Sequence, residues 1–221
     1  MNVVLLDLDG TLTDPAQGIV ACMQHAIREL SGPTWTDADL EAFIGPPLHV
    51  SFQRIFRTDN TELVSLAVQR YRDRFATIGL YENEVYPGVP DALATLRERG
   101  FRLFVATSKP TCYAERIIDH FELGRFLERV YGSELSGERT GKSELLAYIL
   151  QREGIAASSA CMVGDRRHDV EGARAQGIPA LGVLWGYGTS AELASAGAHA
   201  LVEEVADLPS SVIRLGRSST R

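Results

Sequence analysis

The chain has 221 residues, of which 45% are hydrophobic and 23% charged, enough to bury a core without disulfide or metal staples. Its net charge of -7, carried by interspersed residues, argues against nucleic acid or an anionic membrane as the main partner. Three cysteines, Cys22, Cys112 and Cys161, stand far apart without a Cys-x-x-Cys, which points away from a disulfide framework or a zinc centre and towards reduced thiols in a cytoplasm.

The chain opens on Val3-Val4-Leu5-Leu6-Asp7-Leu8-Asp9-Gly10-Thr11, an apolar strand that ends in two carboxylates. Burying such groups without partners costs several kcal/mol, so the pair needs a chemical reason. Residues two apart in an extended chain share a side, which lets both carboxylates flank one small group. Gly10 permits a sharp turn, and Thr11 adds a hydroxyl. A calcium loop starting at Asp7 would require glycine where Leu12 stands and glutamate where Gly18 stands, so that alternative fails twice. There is no basic leader segment and no apolar run long enough to cross a bilayer, so the reading is a cytoplasmic protein.

After Pro15 the pattern is helical over Gln17–Leu30, Asp37–Phe43, Leu48–Phe56 and Thr61–Ile78. Thr36 can cap the second helix, Gly32-Pro33 and Gly45-Pro46-Pro47 break the chain, and Gly79 can end the fourth. Trp35, Phe43, Phe52, Phe56, Tyr71 and Phe75 could stack a base, but Phe52 and Phe56 at i, i+4 are better read as the core of this bundle. From Tyr86-Pro87-Gly88 onward helices alternate with apolar strands. A helix over Val89–Arg99 leads to the strand Arg102–Thr107, and one over Ala114–His120 leads to Val130–Gly132. Ser143–Arg152 then leads to Ala160–Val163, and a helix ended by Gly177 leads to Ala180–Leu184. The polar stretch Arg214–Arg221 is expected to fray. Alternation of this kind means a parallel sheet covered on both faces, with ligands at the strands' C-terminal ends.

Four such places carry chemistry: Asp7 and Asp9; Thr107-Ser108-Lys109-Pro110, a hydroxyl read as preceding a helix start; Lys142 at the head of its helix; and Gly164-Asp165-Arg166-Arg167-His168-Asp169. His168 is read as a solvated loop residue, and Cys161 as a small core hydrophobe. A carboxylate attacking an anionic group meets repulsion of about 4 kcal/mol per unit charge at about 4 Å and an effective dielectric of about 20. Cations are therefore required beside the nucleophile.

Asp-x-Asp-Gly-Thr, the strand-end Thr, the Lys and Gly-Asp-x-x-x-Asp, in this order, resemble the four signatures of the haloacid dehalogenase superfamily of phosphohydrolases. The resemblance implies an α/β fold, a Rossmann-like parallel sheet core over residues 1–14 and 85–221 with a small all-helical cap over 15–84. It implies Asp7 as nucleophile and Asp9 as general acid and base, with Thr107 and Lys142 on the phosphoryl oxygens. It further implies Mg²⁺ held by Asp7, the backbone carbonyl of Asp9 and Asp165, with Asp169 orienting the Lys142 and metal environment.

Gly10, Thr11 and Ser108 are expected beside the substrate, and Leu48 and His49 are the candidates for contact from the cap. The insert after the first signature, with Phe43–Leu48 and Tyr81–Gly88, is similar to the phosphoglycolate phosphatase-like and 5'-nucleotidase-like branch. The expected partner is a small phosphorylated metabolite, and the expected state a monomer or small homo-oligomer. A sugar-phosphate mutase uses the same residues and is the alternative within the fold. A non-enzymatic phospho-aspartate receiver is the alternative outside it, although its order of motifs differs and it has no helical insert. Dehalogenases lack the second acid, so Asp9 argues for phosphate chemistry.

Overall fold

The computed structural model describes residues 1–218, and of Ser218 only its place in the last helix. The chain divides into two compact units, one built from Met1–Thr13 with the chain from Val85 onward, the other from Asp14–Glu84.

The first unit begins with β1 (Val3–Leu6); the chain then leaves it through β2 (Thr13–Asp14). The second unit holds α1 (Ala16–Glu29), α2 (Asp37–Glu41), α3 (Leu48–Phe56) and α4 (Thr61–Arg74). Helix α1 buries Ile19, Val20, Met23, Ala26 and Ile27 along one stripe, the 3.6-residue spacing that drives it inward. Thr36 caps α2 by accepting a hydrogen bond from the Asp39 amide at 3.2 Å. The rings form the core of this unit: Phe52 is fully buried, 6.2 Å from both Phe56 and Tyr71, and Tyr71 stacks on Phe75 at 5.4 Å. Trp35 meets Phe43 edge-on and donates its indole N–H to the Ile55 carbonyl at 3.3 Å.

Helix α4 stops four residues short of the expected Ile78, because Phe75–Gly79 is a π turn. The cause lies in α1: a Cβ on Gly18 would collide with the Gly79 carbonyl, and one on Gly79 with the Cys22 sulfur. Two glycines let the chain segments approach backbone to backbone, and the wider turn accommodates it. Arg74, just before that turn, donates both terminal nitrogens to Glu82, at 2.6 and 2.9 Å.

The chain re-enters the first unit through β3 (Glu84–Val85) and continues as α5 (Val89–Glu98), β4 (Arg102–Pro110), α6 (Thr111–His120), β5 (Arg129–Ser133), α7 (Lys142–Glu153) and β6 (Ala160–Gly164). It ends with α8 (Arg167–Ala175), β7 (Ala180–Val183), α9 (Ser190–Ala196), β8 (Ala200–Val202) and α10 (Leu208–Ser218). The six-stranded sheet has the order β5-β4-β1-β6-β7-β8, with every pairing parallel. The order reverses at β1, so the crevice at its C-terminal end is where a doubly wound sheet binds ligands. Helices α7 and α8 cover one face: Leu145, Ile149, Val170 and Ala173 bury against Leu5, Phe104 and Met162.

Strand β4 runs three residues beyond the expected Thr107, and α6 starts at Thr111 rather than near Ala114. Thr107 therefore lies within a strand, not before a helix start. His168 sits in the first turn of α8, half-buried, rather than in a solvated loop. Of the tail expected to fray, Arg214–Ser218 belongs to helix α10, and residues 219–221 lie outside the described residues.

Candidate active site

Asp7 follows β1 at the reversal of strand order. Its Oδ1 accepts the Leu8 amide at 2.8 Å and lies 3.0 Å from Lys142 Nζ; among the described residues Oδ2 accepts no hydrogen bond. Lys142 is the first residue of α7 and is almost wholly buried. Its ammonium also lies 2.7 Å from Asp169 Oδ1 and donates to the Ala106 carbonyl at 2.8 Å, so it is ion-paired to two carboxylates and hydrogen-bonded to one carbonyl. Burial alone would lower the lysine's pKa, but Asp169 and Asp7 outweigh it and hold the value above the ordinary range.

Asp169 is brought under the strand end by two local features. Its Oδ2 accepts the Arg166 amide at 3.1 Å as part of the cap of α8, and Gly164 leaves the space, since a Cβ there would run into the Asp169 carboxylate. Asp165 is fully buried. Its Oδ2 accepts the Tyr187 amide at 2.9 Å, and its Oδ1 receives a long bond of 3.4 Å from the Thr11 hydroxyl. The run Trp185–Gly188 is shaped around it: a Cβ on Gly186 would collide with the Gly10 carbonyl, and one on Gly188 with the Asp165 carbonyl. Trp185 donates its indole N–H to the Thr11 carbonyl at 3.0 Å. Gly10 itself has φ +82°, in the left-handed region, and a Cβ there would overlap the Asp165 carboxylate.

Asp7, Asp165 and Asp169 each present an oxygen within 4.8 Å of the others. Three carboxylates face one lysine, a surplus of negative charge. Burial, followed by Asp169 and Asp7, pushes Asp165 up to about 8. Burial likewise pushes Asp169 up to about 6, against the opposing pull of Lys142. An all-oxygen donor set with excess charge suits a hard divalent cation such as Mg²⁺. The grouped side chains include Asp7 and Asp165, two of the donors expected from sequence, together with Asp169; the third expected donor is the backbone carbonyl of Asp9, not its side chain. Both Asp169 oxygens are already engaged, by Lys142 and the Arg166 amide. Asp7 and Asp165 are therefore the better-placed donors among the three.

Asp9 turns instead to Lys109, with Oδ1 2.6 Å from Nζ. Burial raises the pKa of Asp9, while Lys109 pulls it down. Thr107 is buried in β4, and its Oγ1 accepts the Lys109 amide at 3.2 Å. The carbonyl of Ser108 accepts the Ser133 hydroxyl at 2.8 Å. Leu48 and His49 open helix α3 of the helical unit, the first half-buried and the second exposed. Cys161 is fully buried in β6, and burial pushes its thiol up to about 12, the environment of a core residue and not of a nucleophile. Sequence reasoning missed Lys109 and the Trp185–Gly188 run. The adjacent glycines were the one available signal for the latter.

The model of the haloacid dehalogenase-like hydrolase family matches residues 4–183. A 5'-nucleotidase of Pseudomonas aeruginosa is 45% identical over 205 residues, 93% of this chain and 91% of that one. The tyrosine-protein kinase PtkA of Mycobacterium tuberculosis is 39% identical over 188 residues, 85% of this chain and 63% of its own. A plasmid-borne phosphoglycolate phosphatase of Cupriavidus necator is 32% identical, covering 94% and 91%. Among solved structures, a predicted phosphatase from Clostridium acetobutylicum superposes with a TM-score of 0.92 at 38% identity, over 96% of this chain and 98% of that one. The chain belongs to the haloacid dehalogenase-like hydrolases, and its enzyme class is phosphoric monoester hydrolase.

Proposed function

We propose that the chain is a Mg²⁺-dependent phosphatase that releases phosphate from a small phosphomonoester by way of an aspartyl-phosphate on Asp7. The observation that carries this reading is the Asp7 carboxylate, held through Oδ1 by Lys142 and the Leu8 amide with its other oxygen open. Fixing one oxygen sets the direction in which the second can attack, and a carboxylate nucleophile divides one difficult displacement into two easier ones. Lys142 holds charge against the transferring phosphoryl oxygens, and Thr107 and Ser108 belong to the same strand end. Gly10 and Thr11 line the turn beside Asp7. Asp9 is the group that donates a proton to the leaving alkoxide and then takes one from water, help worth about 10²- to 10⁴-fold.

Asp7, the Asp9 carbonyl and Asp165 would hold Mg²⁺, with Asp169 keeping Lys142 and the surrounding charge in place. The ion supplies positive charge that lets an anionic nucleophile approach an anionic ester. None of these residues reads the leaving group, so substrate choice is assigned to the helical unit, with Leu48 and His49 as contacts. A nucleoside 5'-monophosphate is the favoured substrate class, since the relative of that activity is more similar (45% identical) than the phosphoglycolate phosphatase (32%). Among the described residues no helix is long and apolar enough to cross a membrane. The proposed setting is the cytoplasm, as a monomer or small homo-oligomer acting on a free metabolite.

The test is a panel of nucleoside monophosphates, phosphoglycolate and sugar phosphates with Mg²⁺, together with trapping of labelled phosphate. Wild-type protein should carry label on Asp7 that survives an acid quench and is released by hydroxylamine or alkali, and Asp7→Asn none. Inversion of configuration at phosphorus in the product, in place of the retention that two successive displacements give, refutes the covalent route. In Leu48→Ala and His49→Ala, relative kcat/KM among phosphomonoesters should change while a small aryl phosphate is still hydrolysed. An equal fall for every substrate removes these two residues from substrate selection.

A further inference from the structure

A second buried cation stands in the site, and no signature accounts for it. Lys109 has only 7% of its side chain exposed, and its ammonium lies 2.6 Å from Asp9 Oδ1. Lysine is almost never buried without a specific partner, because desolvation of its charge is costly. The fold goes to some length to bring it there. Ala106 pairs with Tyr131 and Pro110 with Ser133, so four residue steps on β4 face two on β5. Such an irregularity re-aims the side chains it carries.

The irregular stretch is then tied down. The Lys109 amide donates to Thr107 Oγ1 at 3.2 Å, and the Ser133 hydroxyl donates to the Ser108 carbonyl at 2.8 Å. The Thr111 hydroxyl donates to the Ser133 carbonyl at 3.3 Å and accepts the Gly132 amide at 3.2 Å. Gly132 packs against the Lys109 backbone so closely that a Cβ would collide with the Lys109 carbonyl. A lysine required only for solubility would need none of this.

We infer that Lys109 is a positioning residue for Asp9, a buried cation delivered by the β4 irregularity that fixes one oxygen of the carboxylate and leaves the other to exchange protons with leaving group and water. The inference rests on the reading of Asp9 as acid and base. The site then has two separate ion-paired arms: Lys142 serves Asp7 and Asp169, and Lys109 serves Asp9. Loss of Lys109 should therefore affect proton transfer and leave phosphoryl capture in place. Esters with poor leaving groups should suffer most, since an aryloxide departs with little help from an acid.

The experiment compares wild type, Lys109→Met, Lys109→Ala and Asp9→Asn, at saturating Mg²⁺, on an alkyl phosphomonoester and on p-nitrophenyl phosphate. Lys109→Met should lose about 10- to 100-fold in kcat on the alkyl ester, the scale of a lost hydrogen bond to a charged group, with KM changed by less than about twofold. Formation of the phosphoenzyme from the aryl ester, read in a single turnover, should fall much less. Ethylammonium ions should restore alkyl-ester turnover to Lys109→Ala with saturation, and ethanol should not.

An unchanged kcat, or an absence of rescue in a variant that melts like wild type, overturns the inference. So does an equal fall for both esters accompanied by a raised KM, which makes Lys109 a phosphoryl-binding cation instead. If the Lys109 variants do not fold, Ser133→Ala, which removes a single tie on the strand, carries the test. It should lose alkyl-ester turnover selectively by about two- to fivefold, and no loss refutes the proposal. Asp9→Asn separates the two levels: full alkyl-ester turnover in it means that the acid-base reading has failed. An inactive Asp9→Asn beside an unimpaired Lys109→Met removes Lys109 alone.

Discussion

The two units stabilise themselves in opposite ways. Among the described residues the buried charges, Asp7, Lys109, Lys142, Asp165 and Asp169, belong to the sheet unit, whereas the buried polar side chains of the helical unit are Ser51 and Asn83. The helical unit is held by rings, with Phe52, Tyr71 and Phe75 in one run of contacts. The sheet unit accepts the desolvation of three carboxylates and two lysines at one strand-end crevice. Packing rings yields stability alone, whereas packing charges gives up stability to hold a reactive geometry. The contrast sets apart the unit to which the proposed chemistry is assigned.

Removing a member of each set sharpens this contrast. In the sheet unit, Lys142→Met strands Asp7 and Asp169 beside each other. It should cost about 3–5 kcal/mol of stability and remove turnover by at least about 10³-fold, seen in denaturant titration and initial rates. A variant with normal rates would show that the lysine is structural. In the helical unit, Phe52→Ala opens a cavity and should cost about 3–5 kcal/mol, while the folded protein still hydrolyses p-nitrophenyl phosphate at close to the wild-type rate. A large fall in that rate, measured well below the melting transition, breaks the division of labour.

The pH dependence of the metal-free protein is the next test. Asp165 and Asp169, raised to about 8 and about 6, bind protons more tightly folded than unfolded. Their stabilising contribution is fully present below the unfolded carboxylate value of 3.8 and is lost as pH rises through about 6 and then about 8. His168, lowered by burial from 6.5, acts in the opposite direction, so its gain ends near that value. Between about pH 6.5 and 8 the melting temperature in chelator should fall, and the rise produced by Mg²⁺ should grow over the same window. A flat or rising profile in chelator would contradict the carboxylate surplus. The smallest effect belongs to the helical unit again. Asn60 caps α4 by accepting the Glu62 and Leu63 amides at 3.0 and 3.1 Å, so Asn60→Ala should cost about 1 kcal/mol with no change in kcat.

Much of this arrangement was legible because its signals are local. Apolar runs that end at Asp7, Thr107 and Asp165 announced three strands, and for the first and third where they stop, and Gly154 and Gly177 announced helix ends. What was hidden depends on parts of the chain that meet only after folding. The π turn at Phe75–Gly79 follows from Gly18, some sixty positions earlier in the sequence. The continuation of β4 to Pro110 depends on ties to Gly132 and Ser133. Strand β8, Ala200–Val202, is three residues at a sheet edge, too short to show alternation. Lys109 looks like any solvated lysine until Asp9 arrives beside it, and the glycines of Trp185–Gly188 have no visible purpose until Gly10 and Asp165 occupy the same space.

The sequence contains two tryptophans, and each unit holds one, with its indole N–H tied to a carbonyl: Trp35 to Ile55 and Trp185 to Thr11. The molecule therefore carries a separate optical probe for each half. Trp35→Phe leaves emission that reports only on the turn beside Asp7 and Asp165, and Trp185→Phe leaves emission from the aromatic bundle alone. Metal titration followed on the first variant, and ligand titration followed on the second, would record the response of each half without a label.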